Sequence, residues 1–182
     1  MDAREDRGQQ DISGIYWMYS KEVYQYLYHF IGSREAAEDL TQEVFVRVIK
    51  SLHRFEERSS MRTWILNIAK HVAIDEYRKK RLQTIFAGTL LKLLPSSEGL
   101  PEKELQDKEE RTHFEKALLQ LKPKYRNVIV LRGIREYTVK ETAEILGCTE
   151  AKVKVDFHRA MKVVKEVALH IYEKGAGVNE IS

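Results

Sequence analysis

A single cysteine (Cys148), only three prolines and the lack of any apolar run of about 18 residues set the outer limits of this 182-residue chain. One thiol cannot form an internal disulfide, so the chain is no disulfide-stapled secreted domain and suits a reducing cytosol. The acidic, polar start MDAREDRGQQD has neither the basic end nor the apolar centre of a signal peptide. A soluble, cytoplasmic protein is expected. There is also no phosphate-cradling glycine loop, no His-Glu-x-x-His motif and no cysteine pair. His29, His53, His71, His113, His158 and His170 lack ligand spacing. The expectation is therefore no metal, no cofactor and no enzyme. Hydrophobic residues still make up 43% of the chain, enough to build cores, so it is not a disordered protein.

The formal net charge is only +3, but it is unevenly placed. Residues 1 to 80 carry 13 basic and 13 acidic side chains, residues 81 to 110 carry 4 and 6, and residues 111 to 182 carry 14 and 9. The C-terminal third is the basic part, as contact with phosphates requires, and the middle is acidic.

Apolar residues recur almost throughout at helical spacing. Ile15, Met18, Tyr19, Val23, Tyr26, Leu27 and Phe30 predict a first long helix, ended by Gly32. Ser33 is placed to cap a second helix with the stripe Ala36, Ala37, Leu40, Val44, Val48 and Leu52, and Glu35, Glu38 and Asp39 suit its positive start. After the irregular run HRFEERSS, Trp64, Ile65, Ile68, Ala69, Val72 and Tyr77 predict a third helix, closing at Arg78, Lys79, Lys80 and Arg81. Gly88, Pro95, Gly99 and Pro101 then punctuate a linker whose Ile85, Phe86, Leu90 and Leu91 remain apolar. Phe114, Ala117, Leu118 and Leu121 start a second helical body. Pro123 opens a further helix that carries Tyr125, Val128, Ile129 and Leu131 toward the next motif. The fold class expected is all-α: a helical domain at 12–81, a linker at 82–110, a second helical domain at 111–172 and a frayed tail at 173–182.

From Thr138 to Arg159, TVKETAEILGCTEAKVKVDFHR has the layout of a helix-turn-helix. Thr138 and Glu141 are spaced as a capping box, and the close crossing of the two helices wants a small residue at Ala143. Gly147 supplies a left-handed turn, Thr149 caps the second helix, and Val153 is that helix's first buried residue. With Val153, Phe157 and Ala160 inward, Lys152, Lys154, Val155, His158 and Arg159 lie on the outer face, available to a major groove and its phosphates.

The run AEDLTQEVFVRVIKSL (Ala37 to Leu52), then Phe55, then RTWILNIAKHVAIDEYRKK (Arg62 to Lys80), resembles region 2 of bacterial sigma factors of the extracytoplasmic-function group, in the sigma-70 family. The segment from Leu121 to Lys165 resembles their region 4. The resemblance implies a subunit that joins core RNA polymerase, directs it to promoters and helps open the DNA, under the control of an anti-sigma partner. It implies polymerase docking by Asp39, Gln42, Glu43 and Arg47, whose three- and four-residue spacing puts them on one helix face. It also implies capture of the melted minus-ten strand near His53 to Arg62 and along the next helix. The residues suited to that task are Phe55, Arg58, Ser59, Ser60, Arg62, Asn67, Lys70, His71, Arg78 and Lys79, an aromatic and cationic set fit for unstacked bases and phosphates. Trp64 shares a face with Ile68 and Val72 and is expected in the core.

For the minus-35 element the resemblance implies reading by Lys152, Lys154, Val155, His158 and Arg159. The group commonly has a small polar residue and an arginine where this chain has Val155 and Asp156. Val155 could touch a thymine methyl, and Asp156 could accept a hydrogen bond from a cytosine amine. A conventional helix-turn-helix repressor or activator, working without polymerase, would also explain the motif. It would not explain the N-terminal resemblance.

Overall fold

The computed structural model describes residues 3–91 and 113–176. Residues 92–110 of the expected linker and 177–182 of the expected tail lie outside the described residues. Among the described residues there is no strand, and no helix is long and apolar enough to cross a membrane.

Helix α1 (Ala3–Ile31) stops where Gly32 takes φ +76° and its N–H donates to the Tyr28 carbonyl at 2.7 Å. Ser33 is extended, and its hydroxyl accepts from the Ala36 N–H at 3.3 Å, which opens α2 (Arg34–Ser51). A 3-10 turn (Leu52–Arg54) ends that helix. Helix α3 (Met61–Leu91) begins after Ser60, whose Oγ accepts from the Thr63 N–H at 3.1 Å. The three helices close over Val23, Leu27, Phe30, Leu40, Val44, Val48, Ile65, Leu66, Ala69 and Val72, all buried. These are largely the residues whose periodicity predicted the helices.

One boundary moves. The third helix does not stop at Arg81 but continues to Leu91. Residues Leu82 to Ala87 contain nothing that breaks a helix, and a glycine inside one, Gly88, costs only about 1 kcal/mol.

The second body comprises α4 (His113–Gln120), α5 (Pro123–Val128), a wide π turn (Ile129–Ile134), α6 (Val139–Leu146) and α7 (Glu150–Ala176). Pro123 stands in the first turn of α5, where its missing N–H is no loss. The smooth run expected from Pro123 to the motif is broken by that π turn and by Glu136 at φ +56°. At its end α7 reaches Ala176, four residues into the segment expected to fray. Leu118, Leu121, Val128, Ile129, Leu131, Ile145, Val153, Ala160 and Val164 fill the interior. The two bodies touch, chiefly α3 against α6.

Candidate nucleic-acid interface

The motif is built by its caps. Thr138 Oγ1 accepts from the Glu141 N–H at 3.1 Å while Glu141 Oε2 accepts from the Thr138 N–H at 2.8 Å, a complete capping box at the start of α6. Those hydrogen bonds from Thr138, hydroxyl and backbone, hold the Glu141 carboxyl below the ordinary carboxylate range. Gly147 ends α6 at φ +67°, and the Cys148 N–H reaches back to the Ala143 carbonyl at 3.0 Å. A Cβ built on Gly147 would meet nothing within 4 Å, so the left-handed backbone, not crowding, is what asks for glycine. Thr149 Oγ1 then accepts from the Lys152 N–H at 3.3 Å and starts α7.

On α7, Val153 and Ala160 are buried and Phe157 is half-buried, while Lys152, Lys154, Val155, His158 and Arg159 are exposed. Asp156 is different. It is 6% exposed, turned inward, 2.8 Å from Lys152 Nζ and 4.0 Å from Lys124 Nζ. The expected contact between Asp156 and a cytosine is therefore withdrawn, because the carboxylate belongs to the inner face and serves two lysines. Lys152 keeps its exposure, but its ammonium is tied to Asp156, which raises its pKa.

In the first body the candidate minus-ten residues divide into two groups. Phe55 is half-buried with its ring 5.2 Å from that of Trp64, Arg58 is exposed and paired with Glu56 at 2.6 Å, and Ser59 is half-buried. Ser60 is the cap of α3 already described. His71, Arg78 and Lys79 are exposed, and burial followed by the charge of Lys70 holds His71 below the usual imidazole range. Arg62, Asn67 and Lys70 instead face the second body. Lys70 is 7% exposed, against the expectation of an exposed face, and burial lowers its pKa. Trp64 is half-buried against the core cluster, less enclosed than its neighbour Ile65.

On α2, Asp39, Gln42 and Glu43 are exposed as one face, and Arg47 bonds Glu43 at 2.5 Å and Asp75 at 3.5 Å. Residues 15–83 match the sequence family Sigma-70 region 2, and residues 112–164 match Sigma-70, region 4. The chain is 38% identical over 156 residues to the ECF RNA polymerase sigma factor SigX of Bacillus subtilis (strain 168), covering 84% of this chain and 80% of the relative. It belongs to the extracytoplasmic-function group of sigma-70 family sigma factors.

A second relative, the ECF RNA polymerase sigma factor SigW of the same organism, is 31% identical and covers 88% of this sigma factor and 90% of its own length. The fold is shared with the sigma factor RpoE in its complex with the anti-sigma factor NepR from Bartonella quintana. That similarity has a TM-score of 0.63 at 19% identity, over 87% of this chain and 96% of that one. CnrH in complex with the cytosolic domain of CnrY gives a TM-score of 0.64, also at 19% identity, over 87% and 88%. Sigma factors are DNA-binding regulatory proteins of transcription initiation, partners of core RNA polymerase at promoters. The repressor alternative has no support from a chain that matches both sigma regions in order.

Sequence reasoning missed two kinds of residue in this sigma factor. Val46 and Ile49 stand 48% and 47% exposed on the outer side of α2, in line with Gln42 and Glu43. Val46 lies four residues and Ile49 seven residues after Gln42, a helical spacing that could have flagged both. Arg126 is 4% exposed, and no periodic signal marks a buried arginine. Its guanidinium donates to the carbonyls of Leu118 at 3.1 Å, Leu121 at 3.1 Å, Phe30 at 2.8 Å and also Leu119.

Proposed function

We propose that this sigma factor docks on core RNA polymerase through the α2 face of Asp39, Gln42, Glu43, Val46 and Arg47. It reads the minus-35 element with Lys152, Lys154, Val155, His158 and Arg159, and holds the melted minus-ten strand with the set from Phe55 to Lys79 named above. The carrying observation is the split of α7, whose inner face is fixed by Val153, Asp156 and Ala160 while Lys154, Val155, His158 and Arg159 project outward together. Cations at that position bind backbone phosphates, and Val155 offers an apolar contact suited to a thymine methyl. Lys152 is steered by Asp156, so its contribution is directional. RNA synthesis belongs to the polymerase, and this subunit is not itself an enzyme. It acts in the cytoplasm. An anti-sigma protein, the kind of partner that RpoE binds, is its regulator.

The test is run-off transcription with purified core polymerase on a library of promoter fragments, with and without the protein. New start sites that need the protein are expected. Arg159→Ala is expected to weaken binding to the selected minus-35 sequence by about 1–3 kcal/mol if it contacts a base. Glu43→Arg is expected to lower affinity for core polymerase and leave the fold intact by circular dichroism. No new starts, together with tight binding to duplex DNA by the protein alone, would overturn the proposal.

A further inference from the structure

Three polar side chains of α3 face the second body, and they fare differently. Arg62 donates from Nε to Glu22 Oε1 at 2.7 Å and lies over the Tyr137 ring, 4.4 Å from its centroid. Asn67 Nδ2 donates to the Ile145 carbonyl at 2.8 Å. Lys70, one turn further on, is 7% exposed and has no hydrogen bond or ion pair among the described residues. The titratable group that acts on it is the Cys148 thiol, and burial pushes that thiol up, so it stays protonated near neutrality and is no counter-ion. An ammonium taken out of water with no acid beside it is costly, and a buried polar group left without a partner calls for one from outside the chain.

Lys70 lines a cleft of about 680 Å³ formed by α3, α5 and the start of α7, within the size range of small-molecule sites. Two chemistries meet there. Lys70, Arg78 and Arg81 follow one face of α3, and Lys124 and Lys152 line the cleft from α5 and α7. Five permanent cations thus meet two carboxylates, and both acids are engaged: Asp156 with Lys152 at 2.8 Å and Lys124 at 4.0 Å, Asp75 with Arg47 at 3.5 Å and Arg78 at 4.0 Å. Neither acid pairs with Lys70 or Arg81, so positive charge is left over for a ligand with several negative charges. The second chemistry is apolar: Ile74, Val128, Leu146 and the aromatic Tyr77 line the same cleft. A polyphosphate suits the cations, and a flat heterocycle suits that wall. A continuous nucleic-acid strand fits less well. Each of its phosphates is esterified on both sides, so the strand must leave the cleft in two directions, whereas the terminal phosphate of a small molecule can reach a lysine set this deep.

We infer that this cleft is a binding site for a nucleoside polyphosphate, with Lys70 holding a phosphate at the buried end, Arg78 and Arg81 the others, and Ile74, Val128 and Leu146 against the base. The site goes beyond promoter recognition, since its ligand is a small molecule. It meets the proposed function at one point: Lys70 and Arg78 also belong to the set assigned to the melted strand, so ligand and strand exclude each other there.

The experiment is isothermal titration calorimetry of the full chain without DNA or polymerase, so its result stands apart from the sigma reading. The probes are ATP, GTP, adenosine and inorganic triphosphate. One ATP or GTP is expected to bind per chain with a Kd of about 100 μM or tighter, and inorganic triphosphate about tenfold more weakly for want of a base. Adenosine is expected to give no measurable binding. Lys70→Met keeps the apolar stem and removes the buried charge, so it is expected to weaken nucleotide binding at least about tenfold while leaving the melting temperature unchanged or raised. Arg81→Gln, on the exposed part of α3, is expected to weaken binding about threefold, and it decides the matter if Lys70→Met does not fold. No saturable heat with either nucleotide, or an affinity unmoved by the folded variants, would overturn the inference. Triphosphate that binds as tightly as ATP would overturn the nucleoside assignment. A short single-stranded oligonucleotide that binds through Lys70 where ATP and GTP do not would give the cleft to the melted strand instead.

Discussion

In the first body, α1, α2 and α3 are closed by Val23, Leu27, Val44, Ile65, Leu66 and Val72, and the buried Thr41 hydroxyl simply donates to the Ala37 carbonyl of its own helix at 2.6 Å. Among the described residues the first body also buries Thr63 and Lys70, and the interior of the second holds Arg126, Asn127, Thr142 and Asp156. Helix length explains the contrast. Each helix leaves four N–H and four C=O groups unpaired at its ends, so long helices satisfy most of their own backbone and short ones do not. Helices α4, α5 and α6 run for 8, 6 and 8 residues. Arg126 takes up the carbonyls of Leu118, Leu119 and Leu121 at the end of α4 and of Phe30 near the end of α1. The lesson is that the second body adds satisfied helix termini to the apolar area that holds both, although both read as apolar stripes.

That contrast can be broken by mutation, beginning with the largest effect. Leu66→Ala, at 1% exposure in the centre of α3, is expected to destabilise the first body by about 3–4 kcal/mol in urea unfolding, through lost transfer energy and the cavity left behind. Arg126→Leu conserves apolar bulk but abandons four carbonyls, and about 2–3 kcal/mol is expected. An effect under about 0.5 kcal/mol would show that area governs both bodies alike. Thr138→Ala removes the cap of α6 and is expected to cost about 1 kcal/mol, seen as a lower melting temperature of the second body.

The smallest effect sharpens the contrast by pH. Glu141 is held below the ordinary carboxylate range by Thr138, so its contribution is complete above its unfolded pKa of about 4.3 and is lost as pH falls through the depressed folded value. The stability difference between wild type and Glu141→Gln is therefore expected to be constant near neutrality and to shrink below about pH 4. A difference that persists unchanged to pH 2.5 would show that the carboxylate charge plays no part in the cap.

How much of this could be read from the sequence follows the same division. Stripes such as Leu40, Val44 and Val48 are legible because a 3.6-residue period leaves a one-dimensional trace. Caps at Ser33, Thr138 and Thr149 are legible because their partners lie three residues away. Asp156 was misplaced because its fate depends on Lys124, 32 positions earlier in the chain, as well as on Lys152 one turn away. Lys70 was placed on the correct helix and Arg62 in the loop before it, and neither in its surroundings, because what covers them comes from α6 and Tyr137. The motif's outer face was legible in Lys154, Val155, His158 and Arg159. The division of the minus-ten set into open and covered halves was not, since no local pattern records which body lies opposite.

The length of α3 has a mechanical consequence. Its 31 residues make a rod of about 46 Å, and the stretch from Tyr77, whose ring faces the Arg126 guanidinium at 5.4 Å, to Leu91 projects about 21 Å from that root. Leu82, Ile85 and Phe86 ride on this projecting part, exposed. It is a lever arm with a greased shaft. A tilt of about 10° at the root moves the tip by roughly 4 Å over that length. Force applied through the chain that continues beyond Leu91 is thus delivered at Tyr77 with leverage, beside the guanidinium that spans both bodies.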